Sequence, residues 1–124
     1  MKVPSFLLKR LYVKGSLRAT EDGFRFSLKN TLGSGYAQRL LPLKVDGEEL
    51  PAERCFFLND GKEIAFPAVS KETPFTLGLN RETSMLVRGR KLAPGPHKLG
   101  IGFTVVGLGD LSFEVADEVA APSA

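Results

Sequence analysis

The chain has 124 residues, 43% of them hydrophobic and 25% charged, the balance of a single globular domain and not of a disordered or collagen-like chain. Its 17 lysines and arginines against 14 acids leave a net charge of +3, too mild by itself to mark a nucleic-acid binder, whose charge gathers on one face. No apolar run approaches the roughly 18 residues that a membrane-spanning helix requires.

Taken in chain order, Pro4–Arg10 is one of two short helix candidates, the other being Pro51–Arg54. Residues 1–10 mix Val3, Phe6, Leu7 and Leu8 with basic residues, more apolar side chain than a terminus outside a sheet requires. The segment either packs across the domain or docks on another chain. Pro4–Leu8 is too short for a signal peptide and meets Lys9-Arg10 at once, so a cytoplasmic setting is expected. Leu11, Val13 and Leu17 then alternate with Tyr12, Lys14 and Ser16. Thr20-Glu21-Asp22-Gly23 reads as a hairpin turn in which Asp-Gly supplies the positive φ. Phe24, Phe26 and Leu28 alternate with Arg25, Ser27 and Lys29, the clearest half-buried strand in the chain.

Gly33-Ser34-Gly35 is a flexible loop, and Leu40–Val45 a strand that Pro42 forces to an edge or a bulge. Asp46-Gly47 closes it. Strands over Cys55–Leu58 and Lys62–Phe66 flank an Asn59-Asp60-Gly61 turn, and residues 67–74, with Pro67 and Pro74, form a loop. Phe75, Leu77 and Leu79 alternate; Met85–Val87 is a short apolar piece before the basic turn Arg88-Gly89-Arg90-Lys91. After a turn at Leu92–His97, Leu99, Ile101, Phe103 and Val105 form a strand, and Leu111, Phe113 and Val115 the last one. Residues 117–124 are expected to fray. Strands at about ten-residue spacing with turns between them predict an all-β, antiparallel β-sandwich, immunoglobulin-like or jelly-roll-like, in a single domain over 11–116. The same alternation also fits a partly open barrel.

Groups that could carry chemistry are sparse. His97 is the lone histidine and Cys55 the lone cysteine, so neither an intrachain disulfide nor a cysteine-based zinc site can form. No metal site, cofactor or catalytic set is expected. Cys55 lies in an apolar strand and reads as a buried, inert thiol, and His97 as an edge residue capping the sandwich. Ser34 sits between glycines without the G-x-S-x-G elbow, which describes a turn. Arg88, Arg90 and Lys91, flanked by Arg81, are the candidate site for an anion or an acidic partner, since clustered arginines favour bidentate contacts to carboxylate or phosphate. Phe24 and Phe26 share a face with Leu28 and so belong to the core, which argues against nucleic-acid binding. With no tryptophan and two tyrosines, stacking on sugars is not expected. The basic beginning (Lys9, Arg10, Lys14, Arg18) and acidic end (Asp110, Glu114, Asp117, Glu118) are expected to neutralise each other across neighbouring strands. The outward glycines of Gly100–Gly107 could admit another backbone.

Three stretches carry a family likeness: Leu43–Pro51 with its Val45-Asp46-Gly47 turn, Phe57–Lys62, and Leu92–Ile101 with its Pro94-Gly95-Pro96-His97 opening. In this order they resemble the small β-sandwich subunit of bacterial C-glycoside deglycosidases, a family in which a larger, sugar-isomerase-type barrel subunit carries the metal and most catalytic groups. The resemblance implies a partner chain and transfers no catalytic residue. Short chains of this look also carry the label hydroxymethylglutaryl-CoA reductase; without a dinucleotide-binding motif, and at this length, the reductase activity is not expected. The expected function is therefore that of a non-catalytic accessory subunit of a cytoplasmic enzyme complex, paired with a larger subunit or with itself, with Val3, Phe6, Leu7 and Leu8 as interface. The alternative is a self-sufficient module for an anionic or sugar-like ligand that uses Arg81, Arg88, Arg90 and Lys91.

Overall fold

Period-two patterning resolves into two antiparallel sheets packed face to face. The structure, a computed structural model, describes residues 3–33, 35–59 and 61–120; the expectations placed on Ser34, Asp60 and the tail beyond 120 lie outside them. The first sheet runs in the order β1 (Arg18–Ala19), β2 (Gly23–Lys29), β9 (Glu82–Arg88), β6 (Cys55–Asn59) and β7 (Lys62–Ala65). The second runs β5 (Glu48–Glu49), β4 (Lys44–Val45), β10 (Gly95–Val105), β3 (Gly35–Leu40) and β8 (Phe75–Leu77), with β11 (Gly109–Val119) paired along the whole of β10. Short 3-10 turns cover Ala52–Arg54 and Phe66–Ala68, and a single-turn helix, α1 (Ser5–Leu8), leads into a 3-10 turn at Lys9–Leu11. No helix among the described residues is long and apolar enough to cross a membrane.

The core lies between the sheets. Phe24, Phe26 and Leu28 of β2, Met85 and Val87 of β9 and Cys55 of β6 are buried on one side, facing Leu99, Ile101 and Phe103 of β10 and Phe113 of β11. Phe75 joins the layers, edge-on to Phe57 with ring centroids 4.8 Å apart and stacked on Phe103 at 6.2 Å, geometries that add to the area buried. Pro42 divides the expected Leu40–Val45 strand into β3 and β4. Both lie along one edge of β10, bridged by the Leu41 N–H on the Gly102 carbonyl at 3.0 Å. Asp46 and Gly47, at φ 52° and 85°, make the tight turn between β4 and β5, the positive-φ pair that such hairpins use.

Several expectations are corrected. The first alternating stretch is no long strand: residues 9–11 form the 3-10 turn, Tyr12 makes an isolated bridge to Leu28, and only Arg18–Ala19 pair regularly. Gly95–His97, read as a turn, already belong to β10, and the last strand runs to Val119, with Asp117 and Val119 buried where fraying was expected. Of the glycines expected to admit another backbone, Gly102 is covered by Leu41 and Gly100 by Lys44, whereas Gly107 stands open. Gly23 is needed for a reason other than its φ. It is a buried strand residue, and a Cβ there would lie 1.8 Å from the Val87 carbonyl oxygen.

Gly23→Ala must therefore push β2 from β9. Its expected cost is about 1–3 kcal/mol or more, as for other overpacked sites. Gly35→Ala, where a Cβ meets nothing within 4 Å, should stay within about 0.5 kcal/mol of the parent. Urea unfolding of the two variants checks the contrast; equal midpoints would contradict the close approach.

Candidate functional site

The segment before β1 is held by one carboxylate. Asp117, near the end of β11, accepts the Tyr12 hydroxyl at 2.5 Å and the N–H groups of Gly15 at 3.0 Å and Leu17 at 3.4 Å on one oxygen, and the Glu118 N–H at 2.8 Å on the other. Burial alone would raise the pKa of this carboxyl. The hydrogen bonds from Tyr12, Glu118, Leu17 and Gly15 outweigh it and hold Asp117 below the ordinary value. Burial first, and then the Asp117 hydrogen bond, push the Tyr12 phenol well up. The expected charge neutralisation across neighbouring strands is not how the two ends meet: β1 pairs with β2 and β11 with β10, and Asp117 is bound by the Tyr12 hydroxyl and backbone amides, not by a basic side chain. The sequence pattern counted Tyr12 among outward positions, and its one usable signal was a phenol able to reach a buried acceptor.

With that segment anchored, α1 packs against β11, burying Leu8 and half-burying Val3 and Leu7. Three of the four expected interface residues thus fold onto the chain's own sandwich; Phe6 alone stays largely exposed, at 67%. Between α1 and the strand ends of the second sheet a cleft of about 400 Å³ remains, a volume typical of binding sites. Leu7, Leu8 and Leu11 form one wall, and Phe75, Phe103 and Leu111 are among the residues that close the rest. Leu32, Tyr36 and Leu108 line it while exposed by 39%, 61% and 40%. Val106, 61% exposed, adjoins them through its N–H on the Tyr36 carbonyl at 3.3 Å. The Asn30 amide in the wall is engaged: its oxygen accepts the Leu32 and Gly33 N–H groups and its nitrogen donates to the Gly33 carbonyl. The described lining of the cleft is mostly apolar and can take apolar groups.

The expected basic site is dispersed. Arg81 immediately precedes β9 and Arg88 is its last residue, so the strand separates them. Arg88 pairs with Glu63 and with Asp22 and lies over the Phe56 ring, Arg90 pairs with Glu48, and Lys91 is exposed. Adjacent residues point apart, and acids distant in sequence take up two of the guanidinium groups. Cys55 is buried as expected; its thiol, pushed up by burial, faces the Pro51 carbonyl. Among the described residues no three His, Cys, Asp or Glu side chains are placed to share a metal ion.

Residues 7–120 match the family model of the hydroxymethylglutaryl-CoA reductase N-terminal domain. The chain belongs to this family. The match spans nearly the whole sandwich, and it is not to a C-glycoside deglycosidase family, so the likeness of the Leu43–Pro51, Phe57–Lys62 and Leu92–Ile101 stretches is not what it shows. The family label that length and motif set aside is the one that matches: chain length bears on the reductase reaction, not on membership of an N-terminal-domain family. No curated protein matches.

In this family member His97 is a latch. Its Nδ1 lies 2.7 Å from the Asp46 carboxylate and its Nε2 2.7 Å from the Ala93 carbonyl. Both partners are acceptors, so only the imidazolium donates to both. The Ala93 bond, followed by the Asp46 bond, raises the pKa of His97; the Lys98 N–H, followed by His97, lowers that of Asp46. A raised imidazole pKa gives stability that is complete below the ordinary value of 6.5 and is lost as pH rises through the folded value. The depressed Asp46 pKa acts in the opposite direction, its contribution being lost as pH falls below 3.8. Urea midpoints should therefore decline as pH rises above 6.5 in the parent chain, and decline less in His97→Gln. Parallel curves would contradict the latch.

Proposed function

We propose that the chain is a non-catalytic accessory subunit of an enzyme complex, with the chemistry carried by a larger partner chain. The observation that carries this reading is the apolar end of the sandwich. Tyr36 and Leu108 line a mostly apolar cleft while exposed themselves, Val106 adjoins them, and Phe6 stands exposed on the helix whose Leu7 and Leu8 form one wall. That surface extends past the cleft, and the Asn30 amide is already hydrogen-bonded, which suits a protein surface more than a small ligand. Apolar side chains from a loop of a larger subunit suit it better, seated in the cleft and ringed by the exposed residues as in the core and rim of an interface. The reading draws on the sequence resemblance of three stretches to the deglycosidase small subunit, whose larger partner holds the catalytic groups, and not on the family match. The buried thiol of Cys55 suits a reducing, cytoplasmic setting.

Tagged chain purified from its source should carry a larger enzymatic chain in stoichiometric amount. Tyr36→Asp combined with Leu108→Asp should release that chain while leaving the melting temperature of the isolated sandwich nearly unchanged, both positions being exposed. A chain that purifies alone, or a partner retained by the double variant, would refute the reading.

A further inference from the structure

The anchored segment has a second side. Ser16 donates its N–H to the Val13 carbonyl at 3.1 Å, closing a turn with Lys14 and Gly15 at its centre, and Gly15 takes φ 84°. This turn makes the chain leave β2 after the Val13 N–H bond to the Ser27 carbonyl and return to it at Arg18. The detour opens a groove of about 420 Å³ between the segment and β2. Its walls carry Lys14, Arg18 and Arg25 with Ser16 and Ser27, and no acid.

The register makes this arrangement unusual. Arg18 and Arg25 are direct cross-strand partners, and like charges in that position repel. Arg88 and Arg90 have acids beside them, but among the described residues every ion pair lies outside this groove. Arg25 is oriented by a hydrogen bond from its Nη2 to the Ser84 Oγ at 3.0 Å. Ser16 is engaged within the fold, its Oγ accepting the Ser27 N–H at 2.9 Å and its hydroxyl hydrogen-bonding Tyr12, and Ser27 brings a second hydroxyl to the groove lining.

We infer that this groove binds a phosphate group carried by a small molecule. Two arginines at directly paired positions of β1 and β2, with Lys14 of the turn and the Ser27 hydroxyl lining the same groove, match an anion with three terminal oxygens and nearly two charges. A bound phosphate would turn the Arg18–Arg25 repulsion into shared attraction. The inference is independent of the accessory-subunit reading: the groove lies on the β1–β2 edge of the first sheet, whereas the apolar cleft lies against the second. It also moves the expected anion site from Arg81, Arg88, Arg90 and Lys91 to residues whose juxtaposition depends on strand register.

The test is an amide chemical-shift titration of the whole chain with inorganic pyrophosphate, against sodium chloride at equal ionic strength and against citrate. Saturable shifts at Gly15, Arg18 and Ser27 are expected with pyrophosphate, with affinity weakened about tenfold or more in Arg18→Gln and in Arg25→Gln, as loss of a charged hydrogen-bond donor requires. Without ligand each variant should melt no lower than the parent, because it relieves a like-charge pair. Shifts reproduced by chloride would mean screening alone and overturn the inference. So would a stronger response to citrate than to pyrophosphate, shifts centred elsewhere, or unchanged affinity in both variants.

Discussion

A single carboxylate organises both surfaces of this sandwich. Asp117 gathers four donors, three of them from the segment that precedes the first strand: the Tyr12 hydroxyl and the Gly15 and Leu17 amides. A buried carboxylate is tolerable only when so satisfied, and donors drawn from residues about a hundred positions away tie the start of the chain to its end. Leu8 and Leu11 can then close one side of the apolar cleft, and the turn at Lys14-Gly15 can stand away from β2 to open the basic groove. The regular strands build the frame, and the irregular segment that Asp117 fixes gives the frame its two features.

The legible parts of the fold are those governed by local rules. Phe24, Phe26 and Leu28 declare their face by period two, Asp46-Gly47 its hairpin by backbone permissiveness, and Pro42 a break by its missing donor. Residues 11–17 escaped the same reading because their geometry is set from outside. The alternation of Leu11, Val13 and Leu17 is that of a strand, yet Tyr12 is drawn inward by Asp117 and the chain coils through a 3-10 turn to deliver it. Gly23 shows the converse: the turn was located correctly, but its glycine serves the approach of β9 and not a positive φ.

The site was less legible than the fold, for a reason common to both surfaces. Arg88, Arg90 and Lys91 are neighbours in sequence and read as a cluster, but acids from other elements, Asp22, Glu48 and Glu63, pair with the two arginines. Lys14, Arg18 and Arg25 look scattered and become neighbours only once β1 and β2 take up their register. Likewise Val3, Leu7 and Leu8 were visible as excess apolar residues, whereas Tyr36, Val106 and Leu108, from β3 and the β10–β11 turn, join the same end only through the topology of the second sheet. Sequence proximity measures charge and hydrophobicity; it does not measure which of them remain unpartnered.

Amide hydrogen exchange on Asp117→Ala tests the role of that carboxylate most directly. Protection of the Gly15 and Leu17 amides, both bonded to Asp117 in the parent chain, should collapse, while the β2–β9 amides lose only the protection that follows any global loss of stability. Gly15 and Leu17 amides that keep their protection relative to β2–β9 would show that the segment is held by its apolar packing alone, and that Asp117 does not organise the two surfaces.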